Sequence, residues 1–465
     1  MPLSKQQRKF LSLRKEYPQF IYESFRWEVK KNILSVVFHF HIGEEYHFYP
    51  TYKFPVRQKD IDHLDEEYFS NLIFHLGMVE MISYWKTTCS PVISIQPRRL
   101  REGQIDWWKK LFFNGLGEFF HVNGIQTTQD QLFDFEFLKA PRPFAKNKDV
   151  DFTNGFIVPV GGGKDSAVTL SLLNKLYDNN TAFVLNPGKA ARRCIEIAGL
   201  ENNVFEVSRT LDPLLLKMNK KGFLNGHTPF SALLAFLLLI VGSVTRKKNI
   251  ALSNESSANE ATIPGTMINH QYSKSFDFEQ DFRWYVYNFM NREINYFSFL
   301  RPLNELQIAR IFSSQPSYFS AFRSCNVGSK KDIWCCNCSK CLFTYIMLSP
   351  FVSREQLFHI FGEDLFERIT LIPVMEQLTG FAPEKPFECV GTIAEVNAAL
   401  TFILKQNTYD QLPVLLSHYK DLKKNSFSYD MNQLLKNWNT ENALNDELRD
   451  ALLKELNLKY KDVCR

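Results

Sequence analysis

The sequence predicts an α/β fold with a parallel-sheet core over residues 151–350, a β-rich α+β domain before it (1–150) and a helical region after it (351–465). Three patterns carry that prediction. Between residues 156 and 254, the short apolar runs FIVPV (156–160), TAFVLN (181–186) and NIALSN (249–254) are separated by longer segments of helical spacing. Strands that alternate with helices build parallel sheets, because each crossover helix covers a sheet face. Residues 20–54 instead alternate apolar and polar in SFRWEV, ILSVVFHF and EEYHFYPTYKF, the period-two pattern of a small antiparallel meander. Beyond residue 350, Ser353 with Gln356 and Thr392 with Glu395 have capping-box spacing, each opening a helix.

Within the first segment, helical spacing follows the meander at 65–85 and 104–120, and the polar, proline-containing stretch 140–155 reads as a linker. Pro159 has no N–H to give a central ladder, so its strand is expected to stop early or bulge. The apolar run 230–244 falls short of the ~20 residues a membrane helix needs and reads as a buried core helix. Thr228 is placed to cap that helix, with Pro229 as its first residue. No internal repeat or low-complexity tract is present. With 45% apolar and 23% charged residues the chain is an ordinary globular one. Its net charge of +5 permits a nucleic-acid partner without requiring one, and none is expected. The N-terminus lacks the continuous apolar stretch of a secretory signal. Nine cysteines then suggest thiols or metal ligands, and a cytoplasmic protein with no membrane insertion.

The stretch NGFIVPVGGGKDSAVTL (154–170) sets Gly161, Gly162, Gly163, Lys164, Asp165 and Ser166 between a strand and a helix. A Walker A loop is excluded, because position 158 is valine and Lys164 is followed by aspartate; the dinucleotide fingerprint fails at Ser166. Successive N–H groups in a turn form an anion-binding nest, and a helix N-terminus adds the positive end of its dipole. Ser166 is placed to donate to a phosphate, and Asp165 to hold magnesium or fix the loop. The alternative is a plain strand-to-helix turn.

Three further stretches carry chemistry. His227 precedes the apolar helix, where it either helps start the helix or meets an anion. The segment 253–279 follows the third apolar run and so emerges at the carboxyl edge of the sheet, where ligands bind in such folds. Asn254, Glu255, Asn259, Glu260, Asn269, His270, Gln271, Tyr272 and Lys274 either line a pocket there or form a solvated loop. Cys335, Cys338 and Cys341, with Cys325 upstream, have spacing suited to a tetrahedral zinc, with an iron–sulfur site or free thiols as the alternatives. Cys336 is spare.

The glycine loop resembles the PP-loop of ATP pyrophosphatases, usually Ser-Gly-Gly-x-Asp-Ser, with Gly161 in place of the first serine. The stretches VPVGGGKDSAVTL, NGHTPFSA, NESSANE, NHQYSKSFDFE, WCCNCSKC and PFECVGT, spread between about 150 and 400, are together similar to MurL-type UDP-N-acetylmuramoyl-L-alanyl-L-glutamate epimerases. That resemblance implies an adenine nucleotide alpha hydrolase-like core, ATP and Mg2+ as cofactors, structural Zn2+ at the cysteines and a UDP-muramoyl-dipeptide substrate, with the N-terminal domain as a UDP-sugar reader. It implies ATP binding by residues 161–166, with Asp165 and Ser166 acting on phosphate or magnesium. His270 and Lys274 are the candidate epimerisation bases, with His227 a third. Asn254, Glu255, Asn259, Glu260, Gln271 and Tyr272 become substrate contacts. Within the same superfamily, amidation of a deazapurine carboxylate and tRNA modification are the alternatives; a nucleotide-binding module without catalysis is a third.

Overall fold

The computed structural model describes residues 3–138, 150–259, 272–406, 409–423 and 429–459. The chain forms two compact units, each assembled from three stretches. One comprises Met1–Ile157, Phe205–Ile250 and Gln271–Asn295; the other comprises Val158–Val204, Ala251–His270 and Tyr296–Arg465.

In the first unit, β1 (Gln19–Lys30), β2 (Ile33–Ile42), β3 (Tyr46–Phe48) and β4 (Thr51–Phe54) form the expected antiparallel meander. Along β2, Leu34, Val36, Phe38, Phe40 and Ile42 are buried, and the residues between them are not. Alternation of that kind fixes register, because a one-residue slip would expose every one of these side chains. β5 (Val92–Ile95) runs parallel to β1, and β6 (Asp134–Phe137) parallel to β5. The helical spacing at 65–85 becomes helix Glu66–Glu80, capped by the Asp65 carboxylate on Tyr68 N, followed by the turn Ile82–Trp85. That at 104–120 becomes helices Glu102–Gly115 and Gly117–Val122.

The remaining strands are β7 (Thr153–Pro159), β8 (Thr181–Leu185), β9 (Val204–Thr210), β10 (Lys247–Leu252) and β11 (Asn295–Ser298). β7 ends on Pro159, as the missing N–H requires. The proposed linker falls largely on residues 139–149, outside the described residues, and from Thr153 the chain is already β7. The sheet of the first unit departs from expectation: it is mixed, with the order β4-β2-β1-β5-β6 and β3 on β2. β10 is parallel to β7, but β9 pairs antiparallel with β4 through Thr51↔Thr210 and Lys53↔Ser208. The strand VFEVSRT (204–210) thus gives the meander a partner that its own pattern did not announce.

Helix Phe230–Thr245 is the buried apolar helix, and Arg246 closes it in the left-handed conformation. Its start corrects the sequence reading. Pro229 occupies the cap position, no side chain caps the helix, and Thr228 contributes only its carbonyl, which accepts from Phe230 N at 2.7 Å. Among the described residues no helix is long and apolar enough to cross a membrane.

In the second unit, helices Ser339–Leu348, Arg354–Phe361, Ile372–Thr379, Ile393–Gln406 and Val414–Leu422 bury Phe343, Ile346, Leu357, Met375, Leu400 and Leu415. Both capping boxes form. Ser353 Oγ accepts from Gln356 N at 3.3 Å, and Thr392 Oγ1 accepts from Glu395 N at 3.2 Å while the Glu395 carboxylate accepts from Thr392 N at 2.6 Å.

Candidate active site

The glycine loop sits where β7 ends and helix Lys164–Leu176 begins. Gly163 is the cap residue, and no side chain caps the helix. The first-turn N–H groups therefore keep the positive end of the dipole unmasked. The Ser166 hydroxyl donates to Gly163 O at 3.0 Å and braces the turn. Gly162 has φ +84°, and a Cβ there would stand 2.6 Å from Ala191 N and 2.9 Å from Ala190 C, so only glycine fits. Its carbonyl accepts from Arg323 N at 2.8 Å. Gly161 differs: a Cβ would meet nothing within 4 Å. The departure from the usual serine is therefore a loss of a hydroxyl, not a change of backbone. Gly162→Ala should cost about 2–5 kcal/mol from left-handed strain plus a backbone clash, whereas Gly161→Ser should leave the thermal midpoint unchanged. Equal midpoints for both variants would contradict this description of the loop.

Behind the loop lies a buried ionic cluster. The Lys164 ammonium donates to the carboxylates of Asp165 and Glu305. Glu305 opens helix Glu305–Ser313, whose capping box is Asn304 with Gln307. Its N–H donates to Glu395 Oε1 at 2.6 Å, so the Thr392–Glu395 capping box also reaches this cluster. Glu255 follows β10, and its carbonyl accepts from Arg301 Nη1 at 2.8 Å; Arg301 Nη2 and Asn254 Nδ2 both donate to Ser298 Oγ, at 3.2 and 3.1 Å. Lys164, Glu255, Glu305 and Glu395 are all buried.

The charges do not balance. Burial pulls the Lys164 ammonium down, but Asp165 and Glu305 outweigh it and hold it charged. Burial pushes the Glu305 carboxyl well up; Lys164 opposes that shift, while Asp165, Glu255 and Glu395 add to it. Glu395 is also raised by burial. Two buried cations, Lys164 and Arg301, thus stand among four carboxyl groups, and Lys164 donates to two of these. Oxygens of Asp165, Glu255 and Glu305 lie within 4.8 Å of one another. Three carboxyl groups so close together form a hard oxygen set that fits a magnesium ion.

The predicted cysteines come together. Cys325, Cys335, Cys338 and Cys341 have sulfurs 3.9 Å (325–338), 3.8 Å (335–341) and 3.5 Å (338–341) apart. Zinc–sulfur bonds of 2.3 Å at tetrahedral angles place sulfurs about 3.8 Å apart, so the set fits zinc. Gly328 N donates to Cys325 Sγ at 3.1 Å, and Cys338 caps helix Ser339–Leu348. Cys336, at φ +53°, turns the chain between the ligands and points its own sulfur at Phe361 O, 3.3 Å away. The segment leading into Cys325 touches the glycine loop: Arg323 N bonds Gly162 O, and Ser324 Oγ stands 3.0 Å from where a Gly163 Cβ would lie. The thiolate set therefore anchors a wall of the loop.

Of the other sequence candidates, some lie outside the described residues and some belong to the first unit. Glu260, Asn269, His270 and Gln271 lie outside them, and Asn259 ends the 3₁₀ turn Ser256–Asn259. The segment 253–279 is also less of a loop than its composition suggests, since Tyr272–Lys274 form a 3₁₀ turn and helix Phe276–Phe289 begins after Ser275. His227, Tyr272 and Lys274 belong to the first unit. His227 Nδ1 lies 3.5 Å from Glu118 Oε2. Tyr272 is buried against Phe278, and burial pushes its phenol up. Glu305, Glu395 and Arg301 were missed. Only the Asn304-Glu305-Leu306-Gln307 box was available to find the first, and it marks a helix start, not a site.

The loop, the carboxylate cluster and the thiolate set all lie in the second unit, and comparison with known proteins gives the family. The MurL N-terminal domain family matches residues 12–299, and the MurL C-terminal domain family matches 318–432. The chain belongs to the MurL family. It is 31% identical, over 75% of its length and 78% of the relative's, to the UDP-N-acetyl-alpha-D-muramoyl-L-alanyl-L-glutamate epimerase of Xanthomonas oryzae pv. oryzae (strain MAFF 311018). The equally named proteins of Micromonospora sp. (strain ATCC 39149 / NRRL 15099 / SCC 1413) and Salinispora tropica (strain ATCC BAA-916 / DSM 44818 / JCM 13857 / NBRC 105044 / CNB-440) are 32% and 30% identical over 73% of this chain, covering 76% and 74% of theirs. No solved structure matches.

Proposed function

We propose that this protein inverts the terminal L-glutamate of UDP-N-acetylmuramoyl-L-alanyl-L-glutamate to D-glutamate, an epimerisation in peptidoglycan precursor synthesis, and does so through a carboxyl adenylate. The activity for which its relatives are named supports the substrate and the outcome. The observation that carries the adenylate is the cluster of carboxyl groups beside Lys164, most of them buried, set against an uncapped glycine-rich helix start. That pairing suits a polyphosphate and its divalent cation, and it supports the PP-loop reading of residues 161–166.

The chemistry follows from the substrate. An ionised α-carboxylate disfavours a carbanion beside it. Attack of that carboxylate on the α-phosphorus of ATP forms a P–O bond, expels pyrophosphate and leaves an acyl adenylate whose acyl carbon no longer carries the carboxylate charge. The α-proton is now acidic enough for a side-chain base. A second group returns a proton to the opposite face, and water cleaves the anhydride to give the D-glutamyl product and AMP. In this reading the N–H groups of 161–166 hold the departing pyrophosphate. Magnesium held by Asp165, Glu255 and Glu305 would supply charge neutralisation on the phosphates. Zinc at the four thiolates would be structural, fixing the Arg323–Ser324 wall of the loop.

The proton-transfer groups in this account are His270 and Lys274, with His227 as a further candidate. With ATP and the L-glutamyl substrate in deuterated water, the protein should release AMP and place deuterium at the α-carbon. His270→Ala and Lys274→Ala should keep AMP formation measurable while deuterium incorporation falls much further. Equal loss of both signals would make these residues substrate binders and leave the bases elsewhere. No AMP at all with substrate and magnesium present would remove the adenylate.

A further inference from the structure

The outer face of the meander carries a second set of metal-ligating side chains. Because β2 buries Phe38, Phe40 and Ile42, His39 and His41 stand two residues apart on its opposite face. β3 pairs His47 directly with His41, and their rings stack at 5.0 Å. β1 supplies Glu23 through an irregularity: its pairing steps from Tyr22↔Phe40 to Ser24↔His39, which leaves Glu23 as the extra residue of a bulge. Bulges re-aim a side chain, and this one points a carboxylate at the imidazoles. Glu23 Oε2 lies 3.0 Å from His39 Nδ1 and 3.5 Å from His41 Nε2, and His39 Nε2 lies 2.8 Å from His47 Nδ1.

The hydrogen bonding leaves room for a cation. His41 Nδ1 is 2.9 Å from Gly43 O, and a carbonyl only accepts, so Nδ1 carries a proton. In the neutral ring, Nε2 is then a lone pair facing a carboxylate oxygen, two acceptors with nothing between them. Ligating histidines are held in this way, by a carbonyl or carboxylate on the far nitrogen. The groups are shielded, with 17% and 13% of the His39 and His41 side chains exposed, and the Tyr49 ring stacks on His39 at 4.5 Å. Glu23, His39 and His47 offer ligand atoms within 4.8 Å of one another. Two imidazoles and one carboxylate form a borderline nitrogen–oxygen set, with His41 beside the carboxylate, and such a set selects zinc-class metals over magnesium or calcium.

We propose that Glu23, His39 and His47, with His41 steadying the carboxylate, form a binding site for a divalent transition metal of the zinc class, which clips β1, β2 and β3 together. The site is separate from the thiolate set and from the carboxylate cluster, and it does not depend on the adenylation chemistry.

The test uses the full chain loaded with Zn2+, cleared of excess, and zinc counted per chain. His39→Ala/His47→Ala should hold one equivalent less than the wild type at unchanged circular dichroism, while Cys338→Ser loses a different equivalent and keeps this one. Glu23→Gln, which preserves shape, should weaken zinc binding at this site about 10–100-fold in competition with a chromophoric chelator. Equal zinc content in the wild type and a folded double variant would overturn the proposal and leave a hydrogen-bonded histidine cluster. If the double variant does not fold, an unchanged zinc affinity in Glu23→Gln overturns it instead.

Discussion

Glu305→Gln should slow AMP formation by about 10²–10³-fold in a chain that still folds, the usual effect of removing one preorganised electrostatic contact at a reacting charge. Glutamine keeps the shape and still accepts from Lys164, so the buried ammonium retains two partners, Asp165 and the amide oxygen. What is lost is negative charge at the place proposed for magnesium. Asp165→Asn removes a charge from the same set and should act alike, and in both variants higher magnesium should restore part of the rate. Near-normal AMP release from both, at ordinary magnesium, would separate this cluster from the chemistry.

The second large effect is on stability. Structural zinc in thiolate sites contributes an apparent ~10–16 kcal/mol of binding free energy near pH 7. Losing one ligand by Cys338→Ser should therefore cost on the order of 3 kcal/mol or more of folding stability. The surviving folded fraction should still form AMP, because the thiolates touch the glycine loop only through the Arg323–Ser324 segment. A strong chelator should lower the midpoint of the wild type much further than that of the variant. A wild type that contains no zinc and ignores the chelator would contradict the structural reading.

What the sequence revealed follows the reach of each signal. The meander was visible because alternation along β2 is a local property, and the strand end at Pro159 because a missing N–H acts where it stands. The capping boxes at Ser353 and Thr392 were visible for the same reason. The second role of Glu395 was not, since its bond to Glu305 N spans 90 positions. The mixed sheet of the first unit depends on β4 meeting β9, a pairing such as Thr51↔Thr210 that spans a long stretch of sequence and that neither strand encodes alone. Of the candidate site, the glycines and the cysteines were legible because their spacing is itself the chemistry. Glu305 was not, since a glutamate at the start of a helix looks like any dipole-matching acid. Thr228 failed as a cap because Pro229 took that position itself. The histidines of HFHIGEEYH carried a readable cue, His39 and His41 on one strand face, but the bulge that brings Glu23 to them is a property of the pairing.

The central claim is that inversion of the glutamate requires adenylation, and the most direct measurement is the ratio of AMP to D-glutamyl product in one reaction. Purified protein with ATP, magnesium and the L-glutamyl substrate should yield one AMP and one pyrophosphate for each D-glutamate formed, and neither product nor α-deuterium when ATP is omitted. D-glutamyl product formed without ATP, or with ADP and phosphate in place of AMP and pyrophosphate, would contradict the account.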